Sequence, residues 1–277
     1  MTEVAWIGVG AMGSRMAARL REAGHDLVVW NRTREKAEEL GVPVASSARA
    51  AAERAEFIFT MLADPAALEA VTEADDGVIA GLRDGAVLVD MSTVGPQPIA
   101  HLAEKMPAHA SLLDVPVLGS LPQAESGTLK LFAGGDDAVF DRARPLLETL
   151  GEPLRTGPLG SGAAAKLIAN ATLVGTIALL GETLALADSL GLPRETAWEV
   201  LAATPLAAQA ERRRPAVDSG EYPPRFRLSL ARKDADLVLA TDPDLPALAA
   251  AREHLAAAEA AGLGDEDYAA VLEHILG

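Results

Sequence analysis

Two polar side chains, Lys166 and Asn170, interrupt an otherwise apolar stretch of the sequence at a spacing that lets them act together. On an α-helix, residues four apart project from one face about one turn from each other. A lysine ammonium near a buried surface is costly unless something pairs with it, and a lysine placed in this way is a candidate proton donor. The alternative is a lysine in the first helical turn whose head reaches water. The spacing alone leaves both interpretations open.

The stretch that carries these two residues, from Gly160 to Gly191, predicts one long helix. Ser161 stands at the expected cap position, three alanines follow, and Gly191 with Pro193 supplies a stop signal. Such a helix spans roughly 40 Å, so we expect it to cross between two domains. Its apolar residues leave no continuous polar stripe, which predicts a helix covered on most sides.

A membrane span is the competing interpretation of this helix. Lys166, Asn170 and Glu182 interrupt the apolar run, and the uncharged core from Leu167 to Gly181 is shorter than the roughly 20 residues that a bilayer requires. We therefore expect no membrane partner. The N-terminus lacks a basic segment followed by an apolar leader, so we expect no secretory signal and a cytoplasmic location.

The composition narrows the remaining partners. With 24 basic and 40 acidic side chains, the 277-residue chain carries a net charge of −16, which argues against nucleic-acid binding and requires a local site for any anion. The absence of cysteine excludes disulfides, thiolate metal sites and a cysteine nucleophile. The five histidines are scattered without ligand spacing, so we expect each to be structural or solvated and predict no metal.

A glycine-rich turn near the N-terminus predicts a dinucleotide site. It joins a strand-like run, Val4 to Val9, to a helix-like stretch, Ser14 to Ala23, and its residues are Gly8, Val9, Gly10, Ala11, Met12 and Gly13. In that context the first glycine permits the tight turn, the second lets the backbone approach a pyrophosphate, and the third allows the helix to pack closely on the strand. The helix N-terminus then supplies the positive potential that the net charge does not.

The residues after the second predicted strand, Asp26 to Trp30, indicate which nicotinamide cofactor is bound. An NAD-selective site normally has an Asp or Glu there to accept from the ribose hydroxyls. This chain has Asn31, Arg32 and Thr33 instead, a set able to bind the 2′-phosphate of NADP. We therefore predict NADP(H) as cofactor, and the alternative is a solvated turn with an incidental arginine.

Strand-like and helix-like segments go on alternating, which predicts a doubly wound parallel sheet in an α/β fold. The segments are Glu56 to Met61, Pro65 to Glu73, Ala86 to Asp90, Pro96 to Met106, Leu112 to Val117, Thr128 to Ala133 and Asp136 to Leu150. Ligands bind outside the carboxyl ends of such strands. We therefore expect Met61, Leu62, Ser92 and Thr93 to line the cofactor and substrate sites.

The second half of the chain predicts a different architecture. After a Gly157-Pro158 linker the sequence is almost entirely helical, which divides the chain into a Rossmann-type domain, 1–159, and an all-helical domain, 160–277, beginning with the long helix. A run of paired charges within it, Leu230 to Leu237, has the pattern of a solvated helix face. So apolar a helical domain predicts a homodimer or homotetramer.

With these pieces assembled, the chain resembles the β-hydroxyacid dehydrogenase family over nearly its full length. Five blocks match in order: Gly8 to Gly13, Asp90 to Pro96, Asp114 to Ser120 with Gly127 to Leu129, Gly160 to Asn170, and Lys233-Asp234. The family includes 3-hydroxyisobutyrate dehydrogenase and the glyoxylate and succinic semialdehyde reductases. The resemblance implies a reductase that acts on a small carbonyl compound.

The same resemblance implies roles for individual residues. Lys166 resembles the family's catalytic lysine, whose ammonium would protonate the alkoxide as hydride reaches the carbonyl carbon. Asn170 would orient that lysine or the substrate. Thr93 resembles a residue near the nicotinamide, and Lys233 resembles a second lysine that reaches the cofactor. Asn31 to Thr33 resemble the NADP-selective branch.

One departure from the family lies in the substrate loop. The family typically has a serine followed by two glycines that hold a substrate carboxylate, whereas this chain has Leu118, Gly119 and Ser120. Leucine cannot donate a hydrogen bond, so carboxylate recognition passes to Ser120 and backbone groups or is weakened. An imine reductase that acts on a less polar substrate is therefore the alternative, although the related imine reductases usually lack an equivalent of Lys166. A non-catalytic NADPH-binding protein is a third possibility.

Overall fold

The computed structural model describes all residues Met1–Gly277, which form two compact units, Met1–Lys166 and Leu167–Gly277. The first unit is α/β and the second is helical, as predicted. The division falls inside the long helix rather than between residues 159 and 160.

Strands and helices alternate through the first unit. They are β1 (Glu3–Ile7), α1 (Ala11–Glu22), β2 (Asp26–Trp30), α2 (Arg34–Glu38), α3 (Ala48–Ala52), β3 (Phe57–Thr60), α4 (Pro65–Glu73), β4 (Val87–Asp90), α5 (Pro96–Lys105), β5 (Ser111–Asp114), β6 (Val117–Leu118), α6 (Leu121–Ser126), β7 (Leu129–Gly134), α7 (Asp137–Leu150) and β8 (Gly151–Gly157). The long helix α8 (Ser161–Ser189) follows, and the rest of the second unit is α9 (Arg194–Ala202), α10 (Ala207–Ser219), α11 (Leu228–Thr241), α12 (Pro246–Ala258) and α13 (Val271–Leu276).

The eight strands form one sheet in the order β2-β1-β3-β4-β5-β7-β6, with β8 paired to β7. The first five strands are parallel, as predicted, and the chain reverses its strand order beside β1, where ligands bind in such sheets. The prediction of an all-parallel sheet is wrong beyond β5, because β7 runs antiparallel to both β5 and β6. The sequence analysis also missed strand β8, because a segment with Pro153 between two terminal glycines has the composition of a linker. The segment forms a strand because β8 pairs only with β7, and an edge strand tolerates proline.

Both faces of this sheet are buried, which explains why its strands are continuous apolar runs. Alternate residues of β1 face opposite sides, so Trp6 and Ile7 belong to different hydrophobic clusters. Trp6 stacks on Phe59 at 5.4 Å between ring centroids, and its indole N–H donates to the carbonyl of Gly8 at 3.0 Å. The core therefore fixes the start of the glycine-rich turn.

Helix α8 is continuous from Ser161 to Ser189 and stops before Gly191, whose φ of +70° suits glycine. Within one chain α8 is less covered than predicted, because Ile168, Leu179 and Leu186 are 70%, 52% and 57% exposed, and its coverage by a second subunit stays a prediction. By length and composition α8 could cross a membrane: its most apolar 18-residue window has a mean hydropathy of 1.7 and is 39% buried. A single such helix is weak support for a span, since core helices of soluble proteins meet the same criterion.

Candidate active site

The glycine-rich turn is shaped to receive an anion. Gly8 has a φ of +96°, and a Cβ there would overlap the carbonyl oxygen of Met61. A Cβ on Gly13 would overlap the carbonyl of Gly8, whereas a Cβ on Gly10 would meet nothing within 4 Å. Gly10 directly precedes α1, which has no side-chain cap and no acidic residue in its first turn, so none of these side chains occupies the orphan N–H groups. These residues fit a dinucleotide pyrophosphate.

The end of β2 ties the next candidate residues to that turn. The Oδ1 atom of Asn31 accepts from the backbone N–H of Val9 at 3.1 Å, and its Nδ2 donates to the carbonyl of Thr33 at 2.8 Å. Asn31 therefore positions the turn through its side chain. Arg32 is exposed, and the Thr33 hydroxyl does not cap α2. The geometry leaves a cation and a hydroxyl at the surface beside the turn.

Sequence reasoning missed Lys36, a further cation at this edge. It lies in α2 and lines, with Gly10, Ala11 and Arg15, a groove of about 550 Å³. The sequence signal for Lys36 was its position three residues after Thr33, because α2 begins directly after Thr33 and its first turn faces the groove.

A buried hydrogen-bond network joins the loops that follow β3 and β4. The hydroxyls of Thr60 and Ser92 donate to Oδ1 of Asp90 at 2.6 and 2.7 Å, and Ser92 Oγ accepts from the backbone N–H of Leu62 at 2.9 Å. Burial raises the pKa of Asp90 to about 6 despite these donors. Ser92 is only 2% exposed, so its observed role is to join the two loops. Contact between Ser92 and the substrate stays a prediction, and the burial of Ser92 argues against it. The next residue, Thr93, is half-buried.

The substrate loop after β5 holds its own polar groups. Gly119 has a φ of +140°, and a Cβ there would lie 2.7 Å from Leu129 Cδ2, so no other residue fits easily. Both donors of Ser120, its backbone N–H and its hydroxyl, point to Oε1 of Gln123 at 3.0 and 3.1 Å. Leu118 is half-buried. An anion held by Ser120 must therefore displace the Gln123 carboxamide.

Lys166 is 9% exposed, which argues against the interpretation that its head simply reaches water. The N-terminus of its helix is held by a residue that sequence reasoning did not consider in this role. Asp114, at the end of β5, accepts from the backbone N–H of Gly160 at 2.8 Å and of Ala163 at 2.6 Å. The expectation that Ser161 caps α8 is wrong, since its hydroxyl pairs with that of Thr156 at 2.9 Å.

In the second unit, Asn170 and Lys233 meet at a buried carboxylate. Asn170, 1% exposed, donates from Nδ2 to Oδ2 of Asp234 at 2.6 Å, and Lys233 Nζ lies 2.8 Å from Oδ1 of the same residue. Asp234 is 3% exposed, so the expectation of a solvated face from Leu230 to Leu237 is wrong at this position. The arrangement orients the Asn170 amide so that its oxygen faces away from Asp234. The sequence analysis named Lys233 as a candidate residue but did not identify Asp234 as the partner of Asn170 and Lys233.

A separate cluster on α4 and α5 brings Glu69, Glu73 and His101 together, with their ligand atoms within 4.8 Å of one another. His101 Nε2 lies 3.2 Å from Glu73 Oε1, an ion pair at the surface when the histidine is protonated. Sequence spacing did not indicate this cluster, because the three residues lie on two helices. The absence of a metal stays a prediction.

Comparison with known protein families matches both halves of the chain. The NAD binding domain of 6-phosphogluconate dehydrogenase matches residues 3–167, and the NAD-binding domain of NADP-dependent 3-hydroxyisobutyrate dehydrogenase matches residues 160–275. The glyoxylate/succinic semialdehyde reductase 1 of Arabidopsis thaliana is 33% identical, over 99% of this chain and 98% of its own. The chain belongs to the β-hydroxyacid dehydrogenase family.

Further proteins are similar to this chain over nearly their full length. The 3-sulfolactaldehyde reductase of Escherichia coli is 36% identical, over 99% of this chain and 96% of its own. A 3-hydroxyisobutyrate dehydrogenase structure from Mycobacterium tuberculosis superposes with a TM-score of 0.88 at 28% identity, covering all of both chains. An imine reductase from Myxococcus stipitatus shares the fold, with a TM-score of 0.70 at 21% identity and full coverage of both chains.

Membership in the β-hydroxyacid dehydrogenase family makes the protein an oxidoreductase that uses a nicotinamide cofactor. In parallel sheets of this kind, ligands bind at the loops that follow the carboxyl ends of the strands. Each loop follows one of β1 to β5, so together they form one edge of the sheet in the first unit.

Proposed function

We propose that this protein is an NADPH-dependent reductase of small aldehydes or keto compounds that carry an acidic group, with Lys166 as the proton donor. The observation that carries the proposal is a buried lysine on a helix whose first turn is fixed to the carboxyl end of β5 by Asp114. Buried lysines are used in catalysis because burial shifts their pKa readily, and an ammonium is suited to the oxygen of a carbonyl undergoing reduction.

The chemistry divides between cofactor and protein. When bound, the dihydronicotinamide supplies a hydride to the carbonyl carbon. The carbonyl π-electrons then move to oxygen, and Lys166 Nζ donates a proton to that oxygen, so the product is an alcohol. In the reverse direction the neutral amine of Lys166 accepts the proton. Asn170, whose amide is held by Asp234, orients the carbonyl oxygen or the ammonium with its own Oδ1.

Selection of NADPH over NADH is assigned to the surface beside the glycine-rich turn. Arg32 and Lys36 are both exposed cations there, and Thr33 adds a hydroxyl. No carboxylate follows β2 directly to accept from a ribose 2′-hydroxyl. These features suit a 2′-phosphate, which pairs best with a guanidinium.

An acidic substrate is supported by the names of relatives, which reduce glyoxylate, succinic semialdehyde or sulfolactaldehyde. Imine reduction is the second candidate, because Leu118 offers no donor and Gln123 already holds both donors of Ser120. Imine reductases share the fold at 21% identity. Lys166 favours the carbonyl reaction, since the first candidate gives it a direct role.

The test measures NADPH oxidation by the purified protein with glyoxylate, succinic semialdehyde, an uncharged aldehyde of similar size and a cyclic imine. We expect turnover with the acids, and Lys166→Ala should lower kcat by roughly 100-fold or more, the upper range for general acid catalysis, while NADPH affinity stays within about twofold. Lys105→Ala, which removes an exposed lysine in the last turn of α5, is the control and should leave kcat intact. Unchanged kcat in Lys166→Ala, or turnover confined to the imine, contradicts the proposal.

We further propose that the protein works as a homo-oligomer joined along α8. Ile168, Leu179 and Leu186 lie on one exposed stripe of that helix, and a second copy of the same stripe would cover them in a two-fold arrangement. The stripe also carries the exposed Glu182, which suits a protein interface better than a lipid one. The molar mass in solution, measured by light scattering, tests this, and a monomer would contradict it.

A further inference from the structure

We infer that Asp114 is a positioning residue for the proton transfer, which it controls by fixing the first turn of α8 and thereby Lys166. This inference rests on the proposed function of Lys166. Asp114 contacts no reacting atom in the proposal, so its effect is carried by the backbone of one helical turn.

Two backbone hydrogen bonds hold the start of α8 to Asp114. The N-terminal N–H groups of a helix have no partner within the helix. At α8 two of them, from Gly160 and Ala163, donate to the two different carboxylate oxygens of Asp114, at 2.8 and 2.6 Å. A bidentate arrangement fixes the rotation of the turn as well as its height. The ordinary cap residue, Ser161, takes no part, so Asp114 carries this task from 46 residues away.

The backbone packs closely around the Asp114 carboxylate. Asp114 is fully buried, and two glycines leave it room. A Cβ on Gly134 would overlap Asp114 Oδ1, and a Cβ on Gly162 would lie 2.5 Å from the Asp114 carbonyl and 2.9 Å from Oδ2. Gly134 is also the partner of Asp114 across the sheet. The turn therefore rests directly on the backbone of β5 and β7.

Lys166 lies within one turn of Ala163, one of the two residues that Asp114 holds. Lys166 is three residues after Ala163, which places both on one side of α8 in successive turns. A shift of the first turn is therefore passed to Lys166. Misplacement by about 1 Å of a group in the reacting geometry can cost on the order of 100-fold in rate.

The test compares Asp114→Asn with Asp136→Asn. Asparagine keeps the volume but offers one acceptor and one NH₂ group where two acceptors are needed. Asp136 is the matched control, because its carboxylate also accepts two N–H groups at a helix start, from Ala138 and Val139 of α7. We expect Asp114→Asn to lower kcat by roughly 10- to 100-fold with KM and NADPH affinity changed less than about threefold. Asp136→Asn should leave kcat unchanged even where it lowers the melting temperature.

A double variant separates positioning from loss of fold. If Asp114 acts through Lys166, Asp114→Asn added to Lys166→Ala lowers kcat no further, whereas independent effects multiply. If Asp114→Asn does not fold, Ser161→Ala removes the hydroxyl pair that joins the first residue of α8 to Thr156 and so loosens the same turn more mildly. Its kcat should fall a fewfold, again only when Lys166 is present.

The outcomes distinguish the two proposals. Unchanged kcat in Lys166→Ala overturns the proposed function whatever Asp114 does. A large loss in Lys166→Ala, with kcat unchanged in Asp114→Asn or with multiplying effects in the double variant, overturns the positioning role alone. Equal losses of kcat in Asp114→Asn and Asp136→Asn also overturn it, since they assign the effect to stability.

Discussion

The glycine-rich turn after β1 and the loop from Leu118 to Ser120 lie in the same unit, yet they differ in whether their hydrogen-bond donors already have a side-chain partner. The first turn leaves the N–H groups of α1 facing open space, with no cap at Gly10. In the second loop, both donors of Ser120 bond to Oε1 of Gln123. An anion can enter the first site without displacing any protein group, whereas it must compete with a carboxamide at the second. The difference supports the proposal that the first is a cofactor site formed in advance and the second a substrate site whose anion preference is adjustable.

The open space at Gly10 gives the largest expected effect. Gly10→Ala should fold normally, because its Cβ meets no protein atom and its φ of −68° is ordinary for alanine. The methyl group would instead occupy the approach of the pyrophosphate, so we expect NADPH affinity to fall by roughly 100-fold, equivalent to about 3 kcal/mol. Titration by fluorescence measures the affinity, and an unchanged melting temperature without cofactor is the control. Unaltered NADPH binding would show that the turn is not the pyrophosphate site.

The cation beside that turn gives the next largest effect. Arg32→Ala should weaken NADPH by roughly 10- to 100-fold, since a hydrogen bond to a charged group contributes about 1.5 to 3 kcal/mol. NADH, which lacks the 2′-phosphate, should be affected by less than about twofold. Arg34→Ala is the matched control, because Arg34 is also exposed in this segment but pairs with Glu38. Equal losses for NADPH and NADH would assign Arg32 to another part of the cofactor.

Freeing the two donors of Ser120 in the second loop gives the smallest expected effect. Gln123→Ala frees both donors of Ser120, so KM for succinic semialdehyde should fall by about 2- to 10-fold, the range for one neutral hydrogen bond of about 0.5 to 1.5 kcal/mol. KM for an uncharged aldehyde should not improve. Ser126→Ala, on the same helix α6, tests for general effects on that helix. A higher KM for the acid would mean that Gln123 itself contacts the substrate.

Much of the first unit was predictable because its signals are local. Buried parallel strands are continuous apolar runs, and β1 to β4 were each found within a residue or two of their observed ends; β2 and α4 matched at both, whereas the predicted end of β5, Val117, lies three residues beyond the observed Asp114. The glycine pattern predicted the turn because the backbone requires glycine at Gly8 and Gly13. The edge strand β8 was missed because it carries a proline and pairs with one neighbour only.

The candidate site was predictable in its residue types and less so in their roles. Lys166, Asn170 and Lys233 stand out as polar residues in apolar or paired-charge surroundings, and the family resemblance supplied their roles. Ser92, chosen for its place after a strand, proved to be buried in a network with Asp90. Neither the burial of a serine nor the direction of its hydroxyl is encoded in spacing along one strand.

The sequence by itself determined the fold class, the place of the glycine-rich turn and the family, because these depend on short-range patterns and residue types. The tertiary structure decided which buried side chains hold the helices and the candidate site residues in place. Asp114 reaches α8 across 46 residues, and Asp234 reaches Asn170 across 64. Contacts between residues so far apart leave no periodicity in the sequence. They arise only when the strands and helices pack and each buried polar group must find a partner.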